Sequence, residues 1–218
     1  MSDARELIAK RVADFFEAGN LGNLGIGLPT LVANYLPAAK NVMLHSENGF
    51  IGIGPNPEPG TEDKDIVNAG GMPVTIVPGG VAFDSSMSFG LARGGHVDVS
   101  VLGALEVDEK GNLANWNVPG KLVPGMGGAM DLVVGAKKVV IAMEHTQKDG
   151  SPKILNKCTL PLTAVGVVDY IVTELGVMEV TDEGIVLREL APGVSVVDIQ
   201  CKTEATLIVP ETIGSMER

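Results

Sequence analysis

The chain opens on an amphipathic pattern. In "SDARELIAKRVADFFEAGN" the positions Leu7, Ile8, Arg11, Val12, Phe15 and Phe16 fall on one broad helical face, and Gly19 supplies the stop. Asp3, with Glu6 three residues on, has the form of a capping box. "LGNLGIGLPTLVANYLP" then reads as a short strand, a glycine turn and a helix, with Pro29 near its first position and Pro37 beyond its end. "NVMLH" and "MPVTIVP" are short apolar strands, and "FDSSMSFGLARGG" is a helix capped by Asp84 or Ser85 and stopped by Gly94. "VDVSVLG" is a fully apolar strand of the kind buried on both faces. "LEVDEKGNLANW" predicts a hairpin around Lys110-Gly111, "KKVVIAM" another buried strand, and "IVTELGVMEVTDEGIVLREL" a hairpin turning at Asp182 to Gly184.

Strands alternating with helices imply an α/β fold, a three-layer αβα arrangement around an open, mainly parallel sheet with antiparallel hairpins appended. A length of 218 residues suits one domain over 1–218, with no linker composition or repeat to divide it. In such sheets ligands sit beyond the C-terminal ends of the strands. Glu47, in "VMLHSENGFIGIGP", stands at one such end, where an apolar run gives way to glycine.

Composition narrows the partners. The net charge of -11 sets the overall field against nucleic acid and anionic membrane, so an anionic substrate needs a local positive site or one lent by a partner. Acids and bases interrupt the N-terminal apolar residues, unlike a secretory signal, and no run nears the ~18 apolar residues of a membrane span. Cys158 and Cys201 match no zinc or redox spacing, which fits reduced thiols. The expectation is a soluble, cytoplasmic protein. Glycine, at 28 residues, is nearly twice as frequent as the ~7% of average proteins, which points to close backbone approaches at turns.

Three sites carry candidate chemistry. "GIGLPT", Gly25 to Thr30, with Glu47 about 20 residues on, has the layout of a dinucleotide fingerprint, but Thr30 replaces its third glycine and Pro29 removes an amide donor. In "PGMGGAMDLV", Gly125, Gly127 and Gly128 precede a helix start, where their amides could meet an anion or an oxyanion, or simply form a connecting loop. Glu47 is the third. Metal ligation is set aside because no second ligand stands at suitable spacing, His45 being assigned to the opposite face of the strand. A paired-acid glycosidase is set aside because Glu106, Asp108 and Glu109 read as a solvated hairpin tip. A glutamate with pKa ~4.3 is ionised at neutral pH and needs no base to act as a nucleophile. No Ser-His-Asp motif is present, and His96 and His145 read as structural.

"SENG" at 46–49, with "NLGIGLPT", "VNAGG", "FDSSMSF", "RGGHVDVSVLGALEVDEKGNLANW", "PGKLVPGMGGAMDLV", "AMEHT" and "CTLPLT" in that order, resembles the beta (B) subunits of the family I CoA-transferases that act on 3-oxo acids. The resemblance runs from about Asp3 to Val209. It implies that Glu47 is the nucleophile of a ping-pong reaction through a glutamyl-CoA thioester, with CoA as substrate and no metal or other cofactor. It maps the family's glycine loop onto Gly125 to Ala129, makes the Gly128 amide the oxyanion donor, and gives Asn23 the support of the carboxylate. Gly25, Gly27, Ser46, Asn48 and Gly49 are expected at the substrate and CoA site with Gly125, Gly127 and Ala129. His45 departs from the glutamine expected in many relatives, which puts acceptor preference in question. The resemblance also implies an alpha subunit partner in a heterodimer or heterotetramer, and acyl-CoA with a short-chain carboxylic or 3-oxo acid as substrates. Two other readings stand beside it, a nicotinamide-dependent oxidoreductase and a non-catalytic sugar-phosphate sensor.

Overall fold

The structure is a computed structural model that describes residues 4–120 and 125–217. Asp3, and with it the expected capping box, lies outside the described residues, as does Pro124. Helix α1 (Ala4–Ala13) ends well before Gly19. The amides of Asp14, Phe15 and Phe16 bond to the carbonyls three residues back, tightening the last turn and swinging Phe16 under strand β1 (Leu21–Leu24). Gly22 of that strand is a glycine because a Cβ there would collide with the Phe16 ring. Arg11 sits on the apolar face and is nonetheless satisfied: its guanidinium forks onto Glu189 at 2.6 and 2.8 Å and lies over the Phe15 ring.

The segment Leu28–Tyr35 is a 3₁₀ helix, not the α-helix its pattern suggests. Pro29 has no N–H to give, and Thr30 bonds the Gly27 carbonyl through both its amide (3.2 Å) and its hydroxyl (2.7 Å), which favours the tighter winding. Strand β2 (Met43–Ser46) follows as expected, but β3 (Phe50–Ile53) was hidden in a stretch that reads as glycine turn. It pairs antiparallel with β2, and a register irregularity between Ile51 and Ile53 accommodates Gly52 at φ 98°. β4 (Ile76–Ala82) lies a few residues later than "MPVTIVP" implies.

The next elements match expectation. Helix α2 (Ser85–Arg93) is capped by the Asp84 carboxylate on the Met87 amide and ends at Gly94. β5 (Val99–Leu102) is buried throughout, and β6 (Glu106–Asp108) and β7 (Leu113–Ala114) form the hairpin, with Gly111 at φ 71°. After α3 (Ala129–Gly135) come β8 (Lys138–Ala142), β9 (Ile154–Leu155), β10 (Tyr170–Val172), β11 (Gly176–Thr181) and β12 (Gly184–Leu190). Helix α4 (Val196–Cys201), β13 (Leu207–Ile208) and β14 (Gly214–Ser215) complete the described chain.

One sheet runs β13-β12-β11-β10-β8-β5-β1-β2-β3-β4, with β14 also beside β12; β7-β6-β9 form a small second sheet. The five central strands, β10-β8-β5-β1-β2, are parallel, and the flanking β3, β4, β11 and β12 join antiparallel. Alternation along the central strands divides two cores. Val99, Val101, Val140 and Ala142 pack with Ile8, Val12, Phe16 and Val32 on one face. Val139, Ile141 and Ile171 pack with Val133 and Ile199 on the other, which gives the three layers. On that second face α2 and α3 meet backbone to backbone, since a Cβ at Gly135 would strike the Ala92 carbonyl.

The hairpin tip is not solvated as expected. Glu106 and Asp108 are 7% and 2% exposed. Glu106 accepts from the Thr159 amide and hydroxyl and the Leu160 amide at 2.7 to 2.9 Å. Asp108 accepts from Lys110, Asn112 and Cys158. Burial raises the Asp108 carboxyl, but those bonds, Cys158 first, outweigh it and hold it below its usual pKa. Both acids therefore pin the 158–160 segment to the hairpin.

Candidate active site

The chain passes from β1 to β2 on one side and later places β5 on the other side of β1, so the strand order reverses at β1. Crevices form at such reversals, beyond the strands' C-terminal ends. Glu47 lies there, in the turn between β2 and β3. The turn is rigidly held. Gly49, at φ 137°, donates to the Ser46 carbonyl and accepts from the Phe83 amide at 2.8 Å, and any Cβ would collide with the Phe83 carbonyl. Ser46 Oγ accepts from the Ala69 amide at 3.0 Å, and Asn48 Nδ2 donates to the Val67 carbonyl at 2.8 Å, so segment 67–69 is clamped along the turn.

Asn23, 1% exposed on β1, donates from Nδ2 to Glu47 Oε2 at 3.2 Å. The same nitrogen lies 3.2 Å from the His45 carbonyl and 3.3 Å from His45 Nδ1, while His45 Nε2 is 2.7 Å from Ser88 Oγ on α2. This overturns the placement of His45 on the opposite face: residues two apart on a strand share a face, and His45 and Glu47 converge on one amide. Burial holds the His45 imidazole below its ordinary pKa, against the opposing pull of Glu47. Asn23 Oδ1 and Ser100 Oγ are buried with no hydrogen-bond partner among the described residues.

The glycine loop closes the other wall. Gly128, at the head of α3, would bring a Cβ to 3.4 Å from Glu47 Cγ and 2.9 Å from the Phe89 ring, so it abuts the carboxylate side chain directly. Gly125 and Gly127 hold φ of 102° and 57°, values that only glycine adopts cheaply. Ala129 begins the helix and packs into the core.

Two cavities, of about 370 and 690 Å³, meet at Glu47 and share Gly25, Ile26 and Ala69. The first runs under the 3₁₀ helix past Gly27, Thr30 and Ser46. The second runs past Asn48, Phe89, Trp116 and the loop 125–129. Glu47 is the one charged side chain on either lining among the described residues. The structure thus gathers Glu47, Asn23, Gly25, Gly27, Ser46, Asn48, Gly125, Gly127, Gly128 and Ala129 around one cleft. Gly49 lines neither cavity; its place is the backbone contact with Phe83. Sequence reasoning missed Ser88 and Phe89, which only the packing of α2 over β2 brings in, and Ile26, 78% exposed at the cleft mouth.

The other candidates fall away. "GIGLPT" opens no α-helix, so no helix N-terminus awaits a pyrophosphate, and Glu47 turns toward Asn23. Among the described residues no three His, Cys, Asp or Glu side chains gather as a metal site, and no helix is long and apolar enough to cross a membrane. His96 is exposed, and His145 is fully buried between the Thr173 and Thr203 hydroxyls at 2.9 Å each. Burial, then Lys202 and Lys153, lower His145 to about 4. Burial, then Asp108 and Glu106, push the Cys158 thiol up to about 12.

Fold and cleft define an open α/β protein with a lone carboxylate at a strand-order reversal, faced by a glycine loop. The sequence profile described as Coenzyme A transferase matches residues 5–202. The chain is 57% identical over 213 residues to the beta subunit of the acetate CoA-transferase of Escherichia coli K12, covering 98% of this chain and 97% of that one. It is 50% identical over 201 residues to the B subunit of the succinyl-CoA:3-ketoacid coenzyme A transferase of Helicobacter pylori 26695, covering 92% and 97%. A solved acyl-CoA transferase from Escherichia coli O157:H7, a thioester complex with CoA, superposes with a TM-score of 0.79 at 25% identity, covering all of this chain and 44% of that longer one. The decarboxylase AibA/AibB shares the fold at 22% identity, with a TM-score of 0.72 over 99% of this chain and 89% of that one. The chain belongs to the coenzyme A transferase family, and its match to the two bacterial subunits over nearly their whole length makes it the beta-type subunit of such a transferase.

Proposed function

We propose that this subunit moves CoA between a short-chain acyl-CoA and a carboxylic acid, through a covalent intermediate on Glu47. The observation that carries the reading is the setting of Glu47: the sole charged side chain where two cavities meet among the described residues, braced by Asn23 and pressed against Gly128. A Glu47 carboxylate oxygen attacks the thioester carbonyl, the carbon–sulfur bond breaks, and CoA leaves as thiolate from an acyl-glutamyl anhydride. The thiolate then attacks the Glu47 carbonyl, releasing the first carboxylate and leaving a glutamyl-CoA thioester. A second carboxylate reverses these steps and departs as the new acyl-CoA. Each attack builds an oxyanion beside Glu47, and the Gly128 amide is the donor assigned to it, a kind of contact worth ~100-fold to ~1000-fold in rate. CoA is substrate, and the chemistry calls on no further cofactor. The thioester complex with CoA of the solved relative supports a thioester intermediate here.

An alpha subunit completes the enzyme in this reading. The relatives carry the designation beta or B, and the solved relative is more than twice as long as the matched region. Neither cavity offers a Lys or Arg among the described residues, so cations for the CoA phosphates come from that partner. The lack of a cation on the lining also favours short monocarboxylates over succinate. To test the mechanism, the assembled pair is treated with acyl-CoA and borohydride and the reduced thioester is located by peptide mass. Label on Glu47 is expected; normal turnover with Glu47 unlabelled refutes the mechanism. Initial rates with butyryl-CoA and succinyl-CoA test the acyl preference.

A further inference from the structure

An asparagine amide can face two ways at almost the same shape, and its neighbours decide which. The Oδ1 edge of Asn23 has no described partner, so the choice falls to the opposite edge. That edge meets three acceptors: Glu47 Oε2, the His45 carbonyl and His45 Nδ1. Nδ1 accepts only when the imidazole proton sits on Nε2, and Ser88 Oγ stands 2.7 Å from Nε2 to receive it. The Ser88 proton has its own acceptor in the Ser46 carbonyl at 3.4 Å, which leaves the Ser88 lone pairs for the imidazole. The chain of bonds therefore runs from Glu47 through Asn23, His45 and Ser88 back to the backbone one residue before Glu47.

We infer that His45, with Ser88 behind it, is a positioning residue that holds the Asn23 amide in line with Glu47, and so holds the carboxylate in its direction of attack. The inference rests on Glu47 being the nucleophile. With the proton on Nδ1, two donors would face each other; Glu47 Oε2 and the His45 carbonyl would still hold the nitrogen edge, but the repulsion would push the amide out of line with the carboxylate. A protonated ring does the same. Glu47 is the charged group facing His45, while β1 presents Asn23 and α2 presents Ser88, both neutral.

The test uses the assembled transferase with His45→Leu, His45→Asn and Ser88→Ala, and ¹⁵N-labelled histidine to read tautomers; the chain has three histidines, which makes assignment direct. His45→Leu is expected to lower kcat roughly tenfold to a hundredfold with KM little changed, the size expected of a misaligned reacting group. His45→Asn, which keeps an acceptor near the Nδ1 position, recovers most of that loss. The wild type shows His45 as the Nε2–H tautomer, and Ser88→Ala shows a mixture. A wild-type Nδ1–H tautomer overturns the inference, as does wild-type kcat in His45→Leu with Glu47 still trapped by borohydride. Failure to trap Glu47 in the wild type strikes the nucleophile and with it the catalytic role of His45, while the tautomer result stands by itself. Should His45→Leu not fold, Ser88→Ala decides: a pure Nε2–H signal and full kcat there overturn the inference.

Discussion

Glu47 and Glu106 are both glutamates at the ends of short strands beside glycine-bearing turns, yet the structure treats them in opposite ways. Both oxygens of Glu106 are occupied, by two amides and a hydroxyl, and the side chain is buried. Glu47 is half-buried, accepts one described hydrogen bond, from Asn23 to Oε2, and faces two cavities. A carboxylate with both oxygens already bonded to the protein is a structural tie, held in place by those bonds. A carboxylate braced on one oxygen and open on the other is oriented without being neutralised, which is what a nucleophile needs.

Substituting each acid in turn tests that contrast. Glu47→Gln in the assembled enzyme is expected to cut kcat by roughly 1000-fold or more, the scale seen when a nucleophile is removed, with an unchanged denaturation midpoint. A retained rate there, or a large loss of stability, erases the distinction. Glu106→Ala is expected to do the reverse. It leaves two amides and a hydroxyl without their acceptor, costs about 2 kcal/mol in urea unfolding, and leaves the kcat of the folded fraction near wild type.

The two buried histidines repeat the contrast on a smaller scale. His145 lines neither cavity, and its lowering to about 4 bears on stability. Below pH ~6.5 the unfolded chain takes up a proton that folded His145 refuses, so stability falls as pH drops toward 4 and levels off beneath it. The fall between pH 7 and pH 5 is expected to be about 2 kcal/mol and to vanish in a His145 variant that still folds. Gly128→Ala comes next. Its φ of -84° suits alanine, so the fold should hold, while the added methyl presses on Glu47 and Phe89 and lowers kcat roughly tenfold. The smallest test is chemical. Exposed Cys201 should react with iodoacetamide at pH 7.5 while Cys158, its thiol held near 12, does not, as peptide mapping would reveal.

Much of the sheet was legible because its signals are local. Asp84 and Gly94 bracket α2, Gly111 turns the hairpin, and the apolar run of β5 needs two covered faces. The catalytic glutamate candidate and its glycine loop were legible as a pattern of motifs, and the structure brings them into contact. What escaped depended on residues distant in sequence. The burial of Glu106 requires Thr159 and Leu160; the role of His45 requires Ser88; and Gly49 is a glycine on account of Phe83. The winding of 28–35 was lost for a nearer reason, since a helical period does not distinguish 3₁₀ from α when Gly27, Pro29 and Thr30 decide it.

The contact of Gly135 with Ala92 carries a mechanical consequence. Helix α2 bears Ser88, which stands behind His45, and Gly128, the wall opposite Glu47, caps α3. With no side chain between them, the two helices touch backbone to backbone at that point. A bulkier residue at 135 would therefore wedge them apart and shift the Ser88 support against the Gly128 wall.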